Sequence, residues 1–138
     1  EALGRMLAPE PITGALAMGG FALALGGSSA LKAAWLPAIL EGRKVVALAH
    51  QEPDGRYDLL HVGTRAVAKG QDHVLSGRKS QVLDAVGADA VIVPARTSGS
   101  VGDRDGVTLF LVERGAPGLA VERQRRVDGR NAALVGLD

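Results

Sequence analysis

The chain of 138 residues has no cysteine, one Trp, one Tyr, two Phe and a net charge of only +1. The missing cysteines exclude disulfides, thiolate nucleophiles and cysteine-ligated zinc or iron–sulfur clusters. The small net charge provides no strong field to attract nucleic acid, an anionic membrane surface or an acidic substrate. With 46% hydrophobic residues, the composition is that of a globular protein. The length fits one domain, or one small domain with a helical appendage.

Both ends of the chain have the pattern of an interrupted element. Leu3, Met6 and Leu7 have helical spacing, but neither an initiator Met nor a cap precedes them. Residues 135–138 read as an alternating strand with nothing after it. We therefore expect the chain to be the middle of a longer protein.

The segment from Pro11 to Leu31 contains no charged residue. A membrane span needs about 20 apolar residues, but this segment is alanine-rich and repeatedly interrupted by glycine. The pattern favours a helix that packs closely through small residues inside a helical bundle. A second helix is predicted after the Ser28-Ser29 pair, with a break or restart near Leu36 because of Pro37, and an end at Gly42.

From Lys44 onward, the periodicity changes from helical to strand-like. Short segments rich in Val and Leu alternate with turn residues such as Ser76-Gly77. The predicted strands are Lys44–Gln51, Val62–Lys69, His73–Gly77, Lys79–Leu83, Ala90–Ala95, Val107–Val112 and Leu119–Val127. Because no helical pattern separates them, we predict an α+β protein with a short helical segment followed by an antiparallel β-barrel or sandwich domain that begins near Arg43.

The residue types suited to chemistry are dispersed. The three histidines, His50, His61 and His73, are too far apart for a local metal motif, so no metal site is predicted. One basic concentration is present, consisting of Arg123, Arg125, Arg126 and Arg130. It is interpreted first as a solvated strand and turn, then as a contact for an anionic ligand or subunit, and last as a nucleic-acid site, since no aromatic platform accompanies it.

The most unusual local feature is the polar stretch Gln51–Asp58, which follows a buried-looking strand. Strand exits of this kind often carry binding groups. From the residues alone, both a ligand site and an ordinary hairpin exit remain open.

The order of short motifs along the chain is itself informative. The motifs are Trp35-Leu36-Pro37 with Glu41-Gly42, Glu52-Pro53 with Asp58, Thr64-Arg65-Ala66, Gly70, Ser76-Gly77-Arg78-Lys79, Ala88-Asp89, Ala95-Arg96-Thr97, Leu109-Phe110-Leu111-Val112-Glu113, Ala116-Pro117-Gly118 and Gly129-Arg130. In this order and spacing, the chain resembles the acyl-CoA dehydrogenase family over almost its whole length.

This resemblance implies a domain organisation and an activity. Residues 1–42 would be the end of the N-terminal helical domain and residues 43–138 the middle β-barrel domain, with the C-terminal helical domain absent. Family members remove the α-proton of an acyl-CoA and pass the β-hydrogen to FAD, which leaves a trans-2-enoyl-CoA. The middle domain holds the flavin by backbone N–H groups and a Thr hydroxyl. The base is expected outside the chain, so no catalytic residue is assigned.

The resemblance also carries over individual positions, several of which depart from the family pattern. The implied cofactor-binding residues are Leu48, His50, Gln51, Gln81, Val82 and Leu83. Gln51 replaces the usual Thr, Gln81 an aromatic cover, and Leu83 a hydroxyl donor. Tyr57 takes the position of a Ser near the acyl-CoA thioester and is the implied substrate contact. Each lost hydrogen bond would weaken flavin binding by about 0.5–1.5 kcal/mol.

These departures look like the small-subunit branch of bacterial acyl-CoA dehydrogenases, such as pimeloyl-CoA dehydrogenase small subunits. The implied partners are an acyl-CoA substrate, other acyl-CoA dehydrogenase chains in a homo- or hetero-oligomer, and an electron-transfer flavoprotein. Nucleic acid and a membrane span are not expected, and a cytoplasmic location is the simplest expectation. Two alternatives are a flavin-degenerate structural or partner subunit of a hetero-oligomer, and a stand-alone β-barrel binding module.

Overall fold

Residues 2–6 and 10–138 are described by the computed structural model, in which a helical segment precedes a curled sheet. The helical elements are α1 (Ala2–Arg5), a π-helix (Ile12–Gly20), α2 (Phe21–Gly26) and α3 (Ser29–Leu40). Of the residues that predicted a helix at the start of the chain, Leu7 lies outside the described residues. Among those described, no helix is both long enough and apolar enough to cross a membrane.

Helix α3 begins and ends where local signals predicted, but it is not broken at Pro37. The Ser28 hydroxyl accepts a hydrogen bond from the Leu31 N–H at 3.3 Å. Gly42, with φ of +71°, donates to the Ile39 carbonyl, and the next N–H donates to the Ala38 carbonyl. This pair of bonds is a Schellman motif. The expected break was wrong because Pro37 lies in the last turn, where its missing N–H removes one bond and the motif completes the end.

The uncharged segment packs against the sheet, and the expectation of packing within a helical bundle was incomplete. Gly19 of the π-helix lies so close to the Val46 carbonyl that an added Cβ would overlap it. Gly14 approaches the Asp84 side chain and the Leu83 carbonyl in the same way. The glycines therefore let this helix backbone lie directly on two strands.

Seven strands are present in the described part of the chain. They are β1 (Val46–Leu48), β2 (Arg65–Lys69), β3 (Asp72–Leu83), β4 (Ala90–Arg96), β5 (Val107–Glu113), β6 (Leu119–Gln124) and β7 (Ala132–Leu137). Their order is β1-β4-β2-β3-β7-β6, with β5 on the other edge of β4. The α+β fold class is confirmed, with one difference: β1 and β2 each pair parallel with β4, so the sheet is mixed.

Strand β3 joins two segments that were predicted as separate strands with a turn at Ser76-Gly77. Its first half pairs with β2 through a tight hairpin, and its second half pairs with β7. Gly77, with φ of +151°, lies where a Cβ would meet Thr64 at 2.6 Å. The predicted turn was wrong because this glycine serves a close approach inside a continuous strand.

The strand pairing changes along β4, and this opens the sheet next to the candidate site. β1 pairs with β4 as far as Ile92, and β2 joins β4 at Arg96. Pro94 lies between these two points, where neither β1 nor β2 pairs with β4. Its missing N–H therefore removes no hydrogen bond to either of these strands. Two apolar clusters stabilise the fold, one between the strands around Val93 and one that packs Trp35 of α3 against Val46.

Candidate functional site

The exit of β1 and the second half of β3 are brought together in the fold. The Ser80 N–H donates to the Gln51 carbonyl oxygen at 2.8 Å. The predicted residues Leu48, His50 and Gln51 therefore lie on one side of this contact, and Gln81, Val82 and Leu83 follow on the other side. Tyr57 lies further along the turn after β1 and is 93% exposed.

The exit of β1 offers hydrogen-bond donors that the described residues leave unused. The Ala49 N–H makes the last bond of the ladder, to the Ile92 carbonyl. Within the described ranges, the N–H groups of His50, Gln51 and Glu52 donate to no protein acceptor. His50 Nδ1 is buried and also without a partner there. Because a buried polar atom is normally paired, His50 Nδ1 indicates that this exit is suited to a bound polar group, which the neighbouring N–H groups could also contact.

On the β3 side, a β-bulge changes the directions in which the side chains of the predicted residues Gln81, Val82 and Leu83 point. The register shifts by one residue between Lys79 and Val82, and Gln81 has φ of +51°. The Gln81 side chain is exposed, and its N–H donates to Gln124 Oε1 at 2.8 Å. Val82 is 1% exposed and lies in the core, so only its backbone could reach a ligand. Leu83 is half-buried and brings no polar side-chain atom.

A buried ion pair joins the two residues that adjoin the Gln51–Ser80 contact in the chain. Lys79 Nζ donates to Glu52 Oε1 at 2.7 Å, and both side chains are buried. The same Glu52 oxygen accepts from the Thr64 N–H at 2.9 Å and the Thr64 hydroxyl at 2.7 Å. Glu52 Oε2 accepts from the Gly63 N–H at 2.7 Å. Glu52 and Lys79 were part of the motif pattern, but their pairing was not predicted, and 27 residues separate them in the chain.

The protonation of this pair follows from its partners. Burial alone would raise the pKa of Glu52, but the hydrogen bonds from Lys79, Thr64 and Gly63 outweigh it and lower the pKa from 4.5 to about 2. Burial lowers the pKa of Lys79, and the nearby Glu52 carboxylate opposes that shift. The geometry is that of a charged pair whose members satisfy each other.

Asp84, at the end of β3, is a second carboxylate near the candidate site. Burial raises its pKa, and the hydrogen bond from the Gly14 N–H and the charge of Arg130 partly oppose this. The Gly14 N–H lies 3.1 Å from Asp84 Oδ2 and links the π-helix to the strand end. In the predicted basic concentration, Arg126 pairs with Asp128 at the surface at 3.1 Å.

The same region carries the family signature. Residues 47–136 match the family model of the acyl-CoA dehydrogenase middle domain, and the chain therefore belongs to the acyl-CoA dehydrogenase family. A cyclohex-1-ene-1-carbonyl-CoA dehydrogenase from Syntrophus aciditrophicus (strain SB) is 42% identical over 124 residues, which cover 89% of this chain and 28% of that protein. The chain spans about a quarter of the length of the curated relatives it matches.

Solved structures agree with this assignment. A chain of the ChsE4-ChsE5 complex from Mycobacterium tuberculosis superposes with a TM-score of 0.83 at 28% identity, over 99% of this chain and 35% of that one. The FAD complex of PigA superposes with a TM-score of 0.75 at 29% identity, over 80% of this chain and 30% of that one. The fold of residues 47–136 is therefore that of an acyl-CoA dehydrogenase middle domain.

Proposed function

We propose that the protein is an FAD-dependent acyl-CoA dehydrogenase, or a subunit of one, that oxidises an acyl-CoA to a trans-2-enoyl-CoA. In this proposal residues 1–42 end the N-terminal helical domain and residues 43–138 form the flavin-holding middle domain. The observation that carries it is the set of N–H groups of His50, Gln51 and Glu52, which donate to no acceptor among the described residues and lie within the region that matches the family.

The residues at the β1 exit fit the polar edge of a flavin. FAD, when bound, supplies the acceptor for the hydride removed from the substrate. The N–H groups of Gln51 and Glu52 and the Gln51 side-chain amide would donate to the flavin edge where negative charge develops on reduction. His50 Nδ1 would find its missing partner at the same place. Leu48 would contribute apolar contact, and exposed Tyr57 would meet the acyl-CoA.

The β3 side of the site fits less well, and it supports a second candidate function. Positions 81–83 carry Gln, Val and Leu, none of which has a hydroxyl or an aromatic ring. The Gln81 N–H already donates a hydrogen bond to the Gln124 side chain. A partner subunit with a degenerate flavin site, in the manner of a small-subunit branch, would have these features. In either case we propose assembly with other acyl-CoA dehydrogenase chains, and an electron-transfer flavoprotein as acceptor.

The visible absorption spectrum of the full-length gene product tests both candidates. Flavin bands in the protein purified alone, with reduction of a dye by an acyl-CoA, are the expected result for the first candidate. Bands that appear only after coexpression with a second acyl-CoA dehydrogenase chain would favour a divided site. No flavin and no activity with every partner and substrate tried would contradict the proposal.

Repair of the β3 side distinguishes a degenerate site from an intact one. If the missing groups limit binding, the change Gln81→Phe with Leu83→Thr should strengthen FAD binding by about tenfold, which corresponds to one or two added contacts. The matched control is Gln81→Phe with Leu83→Val, because Val has the shape of Thr without its hydroxyl. An FAD affinity of the repaired variant equal to that of this control and of the unaltered protein would remove the physical basis for the second candidate.

A further inference from the structure

The buried ion pair and the candidate flavin site share one point of contact. Glu52 directly follows Gln51, and Lys79 directly precedes Ser80. The side chains of Glu52 and Lys79 meet at 2.7 Å, while the Ser80 N–H and the Gln51 carbonyl meet at 2.8 Å. Two adjacent residues at the exit of β1 therefore bind two adjacent residues of β3, one pair through an ion pair and the other through a backbone hydrogen bond.

The surroundings of the pair limit its freedom to move. The Glu52 carboxylate is also held by Gly63 and Thr64, in the segment that leads into β2. The Lys79 side chain is completely buried, and Gly77, two residues earlier, packs closely against Thr64. A displacement of either strand would leave a buried charge without its partner, which is far more costly than the loss of an apolar contact.

A buried ion pair is an inefficient source of stability, because apolar residues of similar volume often stabilise a protein equally well. The ion pair also has a geometric effect, because it fixes the distance between the segment after β1 and strand β3. The one-residue bulge that begins after Lys79 needs such a fixed point, because the extra residue leaves the ladder to β7 locally unpaired.

We propose that Glu52 and Lys79 are positioning residues, which set the distance between the donor groups at the β1 exit and the bulge at Gln81–Leu83. This inference rests on the proposed function, in that the group held between the two segments is the flavin. In this scheme the Glu52 N–H belongs to the donor groups at the β1 exit, but the side chains of Glu52 and Lys79 do not touch the flavin. They act through the Gln51–Ser80 contact.

The test compares a broken pair with a replaced pair. Glu52→Gln leaves the Lys79 charge buried without a carboxylate, whereas the double change Glu52→Gln with Lys79→Met removes both charges with little change of volume. Ile39→Ala is the matched control, because it removes buried volume from the α3 interface and Ile39 takes no part in the hydrogen bonds of Glu52. Hydrogen exchange in peptides that cover residues 78–82 reports the Ser80 amide, and FAD titration reports the site.

We expect faster exchange at residues 78–82 and an FAD dissociation constant raised by about tenfold in both the single and the double variant, which corresponds to the loss of about one hydrogen bond. The double variant should nevertheless regain much of the unfolding free energy lost in Glu52→Gln. Ile39→Ala should lower global stability and leave local exchange and FAD affinity near those of the unaltered protein.

The opposite results are equally clear. A double variant with unchanged exchange at residues 78–82 and unchanged FAD affinity would overturn the positioning role and leave the pair purely structural. If the unaltered protein binds no FAD, the proposed function fails, and the exchange comparison alone decides the positioning role. Persistence of the Ser80 protection in the double variant would then overturn it.

Discussion

Acidification should remove the stabilising effect of Glu52, and the structure gives its size and direction. The pKa of Glu52 falls from 4.5 to about 2 in the folded chain, and its side chain is 7% exposed. One pKa unit corresponds to about 1.4 kcal/mol, so the ionised carboxylate contributes up to about 3 kcal/mol. Because the folded pKa is the lower one, this contribution is complete above about pH 4.5 and disappears as the pH falls toward about 2.

The change Glu52→Gln isolates this effect. At pH 7 the variant should lose about 3–5 kcal/mol of unfolding free energy, because the Lys79 ammonium stays buried without its partner. The difference from the unaltered chain should shrink as the pH falls from 4.5 toward 2. Urea unfolding followed by the fluorescence of Trp35, the one tryptophan of the chain and 4% exposed, would measure it at pH 7, 5 and 3.

A control and a contrary result complete the experiment. Glu41→Gln breaks an ion pair with Arg43 whose side chains are about 60% exposed, and it should change stability by less than about 1 kcal/mol. A loss in Glu52→Gln that stays constant from pH 7 to pH 3 would refute the reasoning, because the cost would not depend on ionisation of the carboxylate.

Two further predictions concern the contacts between the π-helix and the strands. Gly19→Ala should destabilise the chain by about 1–3 kcal/mol because its Cβ overlaps the Val46 carbonyl, whereas Gly20→Ala, whose Cβ would meet the Ala15 carbonyl oxygen at 3.3 Å, should destabilise it less in the same urea unfolding assay. Equal effects of the two changes would contradict the described helix placement. Asp84→Asn should raise stability at pH 7 and have little effect at pH 3, since burial raises the pKa of Asp84 and the fold therefore favours its uncharged form. Thermal unfolding at the two pH values checks this, and a variant less stable at pH 7 would show that the ionised carboxylate is needed by Gly14.

Local signals predicted the elements well where the structure is determined locally. Ser28 and Gly42 marked the ends of α3 because capping bonds join residues a few positions apart. The strands were located by their apolar pattern. Pro37 and the Ser76-Gly77 pair were misread for one reason: each is tolerated or required by contacts that are not visible in a local pattern. The parallel pairing of β1 and β2 with β4 was missed in the same way.

The candidate site shows the same division. Family motifs pointed to the segments around Gln51 and Gln81, and the fold brings these segments into contact. The orientation of individual side chains, such as the buried Val82, depends on the bulge and could not be derived from spacing. The ion pair of Glu52 and Lys79 forms between segments that are distant in the chain. Only the folded structure shows that the two charged side chains meet in the protein interior.

The divided pairing of β3 has a consequence for the order in which the chain folds. Its first half meets β2 across a two-residue hairpin loop, a contact that closes on the microsecond scale in short peptides. Its second half must wait for β7, which begins about fifty residues later at Ala132, and long-range pairing is the slower process. We therefore expect the half of β3 that carries the bulge to become ordered late in folding, so that the polar site is among the last parts of the domain to form.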